Sequence, residues 1–297
     1  MNELLLIDTN YLCYRAFYAM GELAHEGAGT GAIFGVLRDI VALQDNFQTT
    51  RCVFAFDTGR SNRAKLLPTY KATRRKKREE ESEEEKQARE NFGRQVGALR
   101  KDYLPAVGFK NVFAARGFEA DDIIASITTR LPGNVEAVVV GSDKDFYQLL
   151  RPNVYCWNPQ KQRAYTAKHF RAEWGMEPDE WADVKAYAGC STDDVPGVPG
   201  VGEKTAAKYL CGALGAHTKA YKKLEAARVQ YAFNMRLVQL PYPGTPEFVL
   251  QEDEVTEEKW VALADRLGMR SLRDNAPRGA ARKSKGRKRK RGRGGVD

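Results

Sequence analysis

Histidine and paired cysteine are scarce in this 297-residue chain, which has three histidines and five cysteines (Cys13, Cys52, Cys156, Cys190 and Cys211), none in a CxxC spacing. No zinc-ligand cluster can be assembled from that set. Free thiols in a reducing cytoplasm are the simplest reading. Long apolar runs are lacking too. Leu4 to Ile7 falls short of the roughly 7 to 15 apolar residues of a signal peptide, and no stretch reaches the ~20 needed to span a bilayer. A cytoplasmic protein without a membrane partner is expected. With 42% apolar residues, the chain can bury one sizeable core and a smaller satellite, so one or two domains are expected.

A surplus of one charge sign is also missing from most of the chain. The formal net charge is +9, but ten Lys/Arg and one acid lie between Arg278 and Asp297, so the remainder is formally neutral. A Gly, Lys and Arg segment with no apolar face cannot offset its ordering entropy, so residues 276–297 are expected to form a disordered basic tail. That tail reads either as a solubility or nuclear-type patch, or as a non-specific phosphate tether whose grip weakens with salt.

Short β-rich runs, Glu3 to Ile7, Cys52 to Phe56 and Glu136 to Val140, alternate with helical patterns through the first half. That rhythm predicts an α/β domain over residues 1–165 on a mainly parallel sheet. From about Thr166 the pattern turns helical with Gly and Pro punctuation, predicting a smaller helical domain, or a helical lobe on the first one, over 166–275.

Each of the three strand candidates ends in acid: Asp8, Asp57, and Asp143 with Asp145. Ligands of open α/β sheets bind beyond the carboxyl ends of strands. Glu119, Asp121 and Asp122 open a helix whose Ile123, Ile124 and Ile127 would face the core, and Asp193 with Asp194 precede a Gly-rich turn. Any one of these clusters is explained by helix capping. Together, nine carboxylates aimed at one end of a sheet would repel unless cations sat between them. Oxygen ligands without His or thiolate suit Mg²⁺ or Mn²⁺, and two such ions can activate water and neutralise the leaving oxygen of a phosphodiester. Neighbouring helical acids point about 100° apart, so Asp121 and Asp122 are expected to serve different ions or different shells. Asp143 and Asp145, at i and i+2 of an extended segment, would share one face.

Pro196-Gly-Val-Pro-Gly-Val-Gly-Glu-Lys-Thr205 joins two helical patterns in the manner of a helix-hairpin-helix, although a plain turn is the alternative. Gly200 and Gly202 permit backbone conformations closed to other residues, so successive N–H groups at the next helix can hold a phosphate. Lys204 and Lys208 would add charge without reading bases. Between Arg60 and Arg78 lie nine Lys/Arg, followed by six Glu from Glu79 to Glu85. The ordinary reading is a solvated helix with Arg75–Glu79, Lys76–Glu80 and Lys77–Glu81 pairs, each worth roughly 0.2–0.5 kcal/mol at best. A flap that orders over single-stranded DNA is the functional one.

The chain resembles the structure-specific 5′ nucleases, or flap endonucleases, in particular the phage 5′ to 3′ exonucleases and the 5′ nuclease domain of bacterial DNA polymerase I. Leu-Ile-Asp8, Val-Phe-Ala-Phe-Asp57, Phe-Glu119-Ala-Asp-Asp122, Ser-Asp143-Lys-Asp145 and the Pro-Gly-Val-Gly hairpin carry the resemblance in the family's order from Leu4 to about Leu240. It implies a PIN-like 5′ nuclease fold with a helical arch at about 60–95 and a C-terminal lobe holding the helix-hairpin-helix. It also implies two Mg²⁺ or Mn²⁺ ions at the acids, and K⁺ at the hairpin. The substrates it implies are DNA 5′ ends, flaps and nicks, or RNA–DNA hybrids. Arg15, Arg63, Tyr70, Lys71 and Arg74 match positions of family substrate contacts: Lys71 and Arg74 would act on the reacting phosphate, and Tyr70 would stack on a base unless it is a hydrophobic anchor of the arch. No polymerase domain follows, so a stand-alone enzyme, or a partner of a separate polymerase or single-strand-binding protein, is expected.

One departure stands out. Where the family usually shows Gly-Asp followed three residues later by Asp-Asn, this chain has Gly189-Cys190-Ser-Thr-Asp193-Asp194. One second-metal carboxylate is missing, and Asp194 is the candidate to compensate. A non-catalytic DNA-binding protein would leave the acids without use, and a PIN-type RNase would leave the hairpin and arch without explanation.

Overall fold

The computed structural model describes residues 3–20 and 23–278. The tail expected to be disordered lies, from Gly279 on, outside the described residues. Six strands build the main sheet: β1 (Leu4–Asp8), β4 (Cys52–Phe56), β5 (Val112–Ala114), β6 (Ala137–Val140), β7 (Val154–Asn158) and β8 (Arg163–Tyr165), while β2 (Ala24–His25) and β3 (Ala28–Gly29) pair separately as a small hairpin. The order is β5-β4-β1-β6-β7-β8, parallel throughout except for β8, which runs antiparallel to β7 at one edge. The mainly parallel sheet expected from the sequence is present.

Side chains alternate along each strand, and both faces are covered. Leu5, Ile7, Phe54, Phe56, Val138 and Val140 face helices α1 (Thr9–Ala19) and α2 (Gly31–Phe47). Leu4, Leu6, Val53, Ala55 and Val139 face α7 (Ala120–Arg130), α8 (Ala167–Trp174) and α9 (Trp181–Ala188), through Ile123, Ile124, Phe170 and Trp181. Each Leu, Ile, Val or Phe side chain among these contributes roughly 1.5–3 kcal/mol on burial.

Between β4 and β5 the chain leaves the sheet as α3 (Arg63–Leu66), α4 (Ala72–Glu79), α5 (Glu83–Ala98) and α6 (Leu104–Val107). No residue of α4 is buried, whereas α5 is anchored by Phe92 and by Gln95, whose Oε1 accepts the Ala32 N–H at 2.8 Å. Of the three expected i,i+4 pairs only Lys76–Glu80 forms, at 3.9 Å. Arg75 donates instead to the carbonyls of Tyr70 and Pro68, and Glu81 pairs with Arg89.

After β8 the chain continues in helices, with Thr166 capping α8. Helices α10 (Glu203–Leu210), α11 (Lys219–Ala226) and α12 (Arg228–Val238) complete the lobe on the second face. The last helices, α13 (Glu257–Arg266) and α14 (Arg270–Arg273), return to the first face, where Trp260, Leu263 and Leu272 join the core containing Leu5. The segment expected as one lobe over 166–275 is therefore divided between the two faces, because Trp260 and its neighbours find their apolar partners beside α6.

Candidate active site

β1, β4 and β6 are adjacent and parallel, so their carboxyl ends deliver Asp8, Asp57 and Asp143 to one edge. Each acid is fixed by a backbone N–H. Asp8 caps α1 by accepting from Tyr11 at 3.0 Å, and Asp57 accepts from Ala120 at 2.8 Å, which ties β4 to the start of α7. Asp143 accepts from Asp145 at 2.9 Å and caps the short turn Lys144–Leu149. Asp143 and Asp145 are thus joined by a tight turn, not by the extended segment expected.

Burial and mutual repulsion disturb these groups. Burial, reinforced by Asp57 and Asp143, pushes the Asp8 carboxyl up to about 7. Asp145 rises to about 6 through burial and Asp143, despite the opposing Lys185. Asp121 rises well above its ordinary value through burial and the fields of Asp143, Asp8 and Asp57. Around Asp8, Asp57, Asp121 and Asp143 the donors are carboxylate oxygens, while Asp145 Oδ1 meets Lys185 Nζ at 3.1 Å. Such an oxygen set fits hard divalent cations, which would relieve the repulsion.

Asp122 departs from its expected role as a metal ligand. It is fully buried, and its oxygens take Arg63 Nη1 at 2.7 Å, Arg63 Nη2 at 2.8 Å, the Glu119 N–H at 3.0 Å and the Tyr242 N–H at 2.9 Å. Four donors saturate the carboxylate. Arg63 departs with it: 3% exposed and also donating to the Leu237 carbonyl, it is a structural cation and not a DNA contact. Tyr70 likewise is no stacking platform. Its ring is buried, and its hydroxyl reaches Glu119 at 2.9 Å and Asp193 at 3.1 Å, so it is an anchor that bridges two acids.

The base of the exposed segment closes over this edge. Lys71 Nζ lies 2.5 Å from Glu119 and 3.8 Å from Asp193, and its backbone N–H donates to the Asp193 carbonyl. Arg74 lies 3.1 Å from Asp193. Asp194 does not join the metal-facing acids, because both its oxygens accept from Thr73, the backbone N–H at 2.8 Å and the hydroxyl at 2.6 Å. Asp193 does join them, within 4.8 Å of ligand atoms of Asp145 and Cys190. The Cys190 thiol is raised by burial, against the pull of Lys185.

Sequence reasoning missed two charged groups here. Lys185, on an otherwise apolar stretch of α9, is buried, lying 3.1 Å from Asp145 and 3.7 Å from Glu203. Glu203 also takes Lys144 at 2.7 Å. A lone lysine between Val184 and Ala186 was the available signal. A cleft of about 530 Å³ opens between Asp8, Asp143, Lys185, Cys190 and Gly202. Arg15, on α1, is held by Asp39.

The hairpin follows α9. Val198 and Val201 are buried in the second core, the Val198 N–H donates to the Tyr187 carbonyl at 2.8 Å, and Asn234 of α12 donates to the Ala186 and Pro196 carbonyls. Gly200 takes φ +81°, as expected. Gly202 does not need its freedom, since φ −104° and ψ 175° suit any residue. The positions that do exclude a side chain are Gly189 and Gly197, where an added Cβ would lie 2.3 Å from the Gly197 nitrogen and 2.0 Å from the Ala188 oxygen, respectively. Lys204 and Lys208 are exposed on α10.

A parallel sheet with acids gathered at its carboxyl edge, a helical excursion above and a hairpin beside it define a 5′ nuclease fold. Residues 3–175 match the family described as 5′-3′ exonuclease, N-terminal resolvase-like domain, and the chain belongs to that family. It is 33% identical over 216 residues to DNA polymerase I of Mycobacterium tuberculosis, an alignment covering 70% of this chain and 22% of the polymerase. A 5′-3′ exonuclease of Bacillus subtilis is 32% identical over 219 residues, covering 70% of each chain. Among solved structures, the T5 5′-exonuclease with bound zinc superposes with a TM-score of 0.70 at 23% identity, covering 81% of this chain and 90% of that one. Human GEN1 bound to Holliday junction DNA gives 0.56 at 15% identity, covering 90% and 68%.

Proposed function

We propose that this chain is a divalent-metal-dependent 5′-3′ exonuclease and structure-specific flap endonuclease that hydrolyses phosphodiester bonds of DNA. The observation that carries this reading is the convergence of Asp8, Asp57, Asp121, Asp143, Asp145 and Asp193, several with carboxyls raised by burial and mutual repulsion, at one sheet edge. The relatives named above support it, and the chain spans about a fifth of the polymerases among them. Two ions, Mg²⁺ or Mn²⁺, held by these acids would supply the charge that activates water and stabilises the departing oxygen. Glu119 and Asp193 hold Lys71 and Arg74 beside the acids, from where they would turn to the scissile phosphate. The α10 N-terminus with Lys204 and Lys208 would hold duplex phosphates, and a K⁺ ion would sit at the hairpin. RNA primers on DNA, and cooperation with a separate polymerase or single-strand-binding protein in the cytoplasm, belong to the same proposal.

The test uses 5′-labelled flap, nicked and RNA-primed duplexes with Mg²⁺ or excess EDTA. Cleavage near the 5′ junction is expected with Mg²⁺, and background in EDTA or in Asp121→Ala. Full cleavage in EDTA would overturn the proposal, and cleavage of RNA alone would favour the RNase reading.

A further inference from the structure

Among the described residues, Cys190 is the thiol that lies with the acids in one cluster. Its sulfur and carboxylate oxygens of Asp145 and Asp193 all lie within 4.8 Å of one another. A single ion bound at about 2.3 Å to sulfur and about 2.0–2.2 Å to oxygen would hold its ligand atoms somewhat closer than this. Rotation of the side chains would have to close the difference. Three backbone features fix the approach: the Cys190 and Val195 strands bridge each other through N–H to carbonyl bonds of 2.9 Å, the Asp193 N–H returns to the Cys190 carbonyl, and Asp145 sits in a capped turn.

The ordinary explanation of a buried thiol is packing, and Cys190 does adjoin Tyr70, Val195 and Leu237. Packing alone does not account for its setting. The sulfur meets Thr192 Oγ1 at 3.1 Å and faces two carboxylates, and the Lys185 ammonium stands beside Asp145. Asp145 Oδ1, a buried atom, meets that ammonium at 3.1 Å. The other buried thiols, Cys13, Cys52 and Cys156, are sealed in the two main cores, and Cys211 is exposed away from the acids.

We propose that Cys190, Asp145 and Asp193 form a mixed thiol–carboxylate site that takes thiophilic divalent ions of the Zn²⁺ and Cd²⁺ class in preference to Mg²⁺. A thiolate is a soft ligand, and a protonated thiol is a poor partner for Mg²⁺, so replacing one oxygen donor by sulfur reverses the preference of an all-carboxylate site. Binding releases the thiol proton to solvent and forms one sulfur–metal bond. This rests on the nuclease reading for its meaning: a tightly held thiophilic ion would occupy a place needed by Mg²⁺, making the enzyme sensitive to traces of Zn²⁺.

The experiment titrates the metal-free full chain, carrying Cys211→Ser to remove the exposed thiol, with Cd²⁺. The ultraviolet thiolate-to-cadmium charge-transfer band is the readout. One equivalent should saturate the band, and Cys190→Ser should abolish it with an unchanged melting curve. By calorimetry, Cys190→Asp should bind Mg²⁺ roughly tenfold or more tightly than the parent. Absence of the band in the parent, or its survival in Cys190→Ser, would overturn the proposal. Should Cys190→Asp fail to fold, the Cys190→Ser spectrum still decides. Mg²⁺-dependent flap cleavage by the same preparation reads the nuclease assignment separately: a band without cleavage removes that reading alone, and cleavage without a band removes the thiophilic site alone.

Discussion

Asp121 and Asp122 are neighbours in sequence but belong to two differently built regions. Asp121 stands on an open ledge with Asp8, Asp57 and Asp143, where carboxylates outnumber donors and burial and repulsion raise the carboxyls of Asp8, Asp57 and Asp121 above their ordinary range. Asp122 lies in a closed seat one helical step away, where Arg63, Glu119 N–H and Tyr242 N–H occupy its oxygens. The same side chain is a cation trap in one setting and a structural joint in the other, and the supply of donors decides which. The seat also ties the base of the basic segment to α7 and to Leu237 at the end of α12.

Exchanging the two acids for alanine is the sharpest way to break this contrast. Asp122→Ala takes from the buried Arg63 guanidinium its two-pronged partner and leaves only Glu119, at 3.5 Å, as counter-charge, a loss of about 3–5 kcal/mol, which lowers the melting temperature by roughly 6–20 °C. Asp121→Ala removes a repelled charge and should leave the metal-free melting temperature unchanged or higher. Equal melting losses in the two variants would erase the distinction. A smaller effect concerns Lys71, which the ledge holds through Glu119 and Asp193. Lys71→Ala should lower the single-turnover cleavage rate by about 100-fold while weakening DNA binding much less, since a transition-state contact appears in the chemical step. Equal losses of affinity with an unchanged rate would make Lys71 a tether.

Where the sequence was legible, local chemistry sufficed. The runs ending at Asp8, Asp57 and Val140 are dense in Leu, Val and Phe, and became the three central strands. Ile123, Ile124 and Ile127 are buried as their spacing predicts. β5, β7 and β8 escaped notice because they are short or mix polar residues with Tyr and Trp. The role of Asp122 was illegible for another reason: its partner Arg63 lies 59 residues away, and no local pattern announces a long-range ion pair. Asp194 was misread in the same way, since Thr73, which takes both its oxygens, lies 121 residues away.

The smallest effect reads the ledge itself. Folding raises the Asp8 and Asp145 carboxyls to about 7 and about 6, above their unfolded values. Without metal the folded chain then binds more protons than the unfolded one, so this contribution to stability is present below about pH 4 and is lost as pH rises through about 6 to 7. A divalent ion should restore it only where the acids are ionised. The direct measurement is therefore the melting temperature of wild type and Asp121→Asn with EDTA or Mn²⁺, at about pH 5 and about pH 8. Wild type should gain clearly from Mn²⁺ at the higher pH and little at the lower, and Asp121→Asn should gain little at either. A wild-type melting temperature indifferent to Mn²⁺ at the higher pH, or an equal gain in Asp121→Asn, would contradict the assignment of the ledge as a cation site.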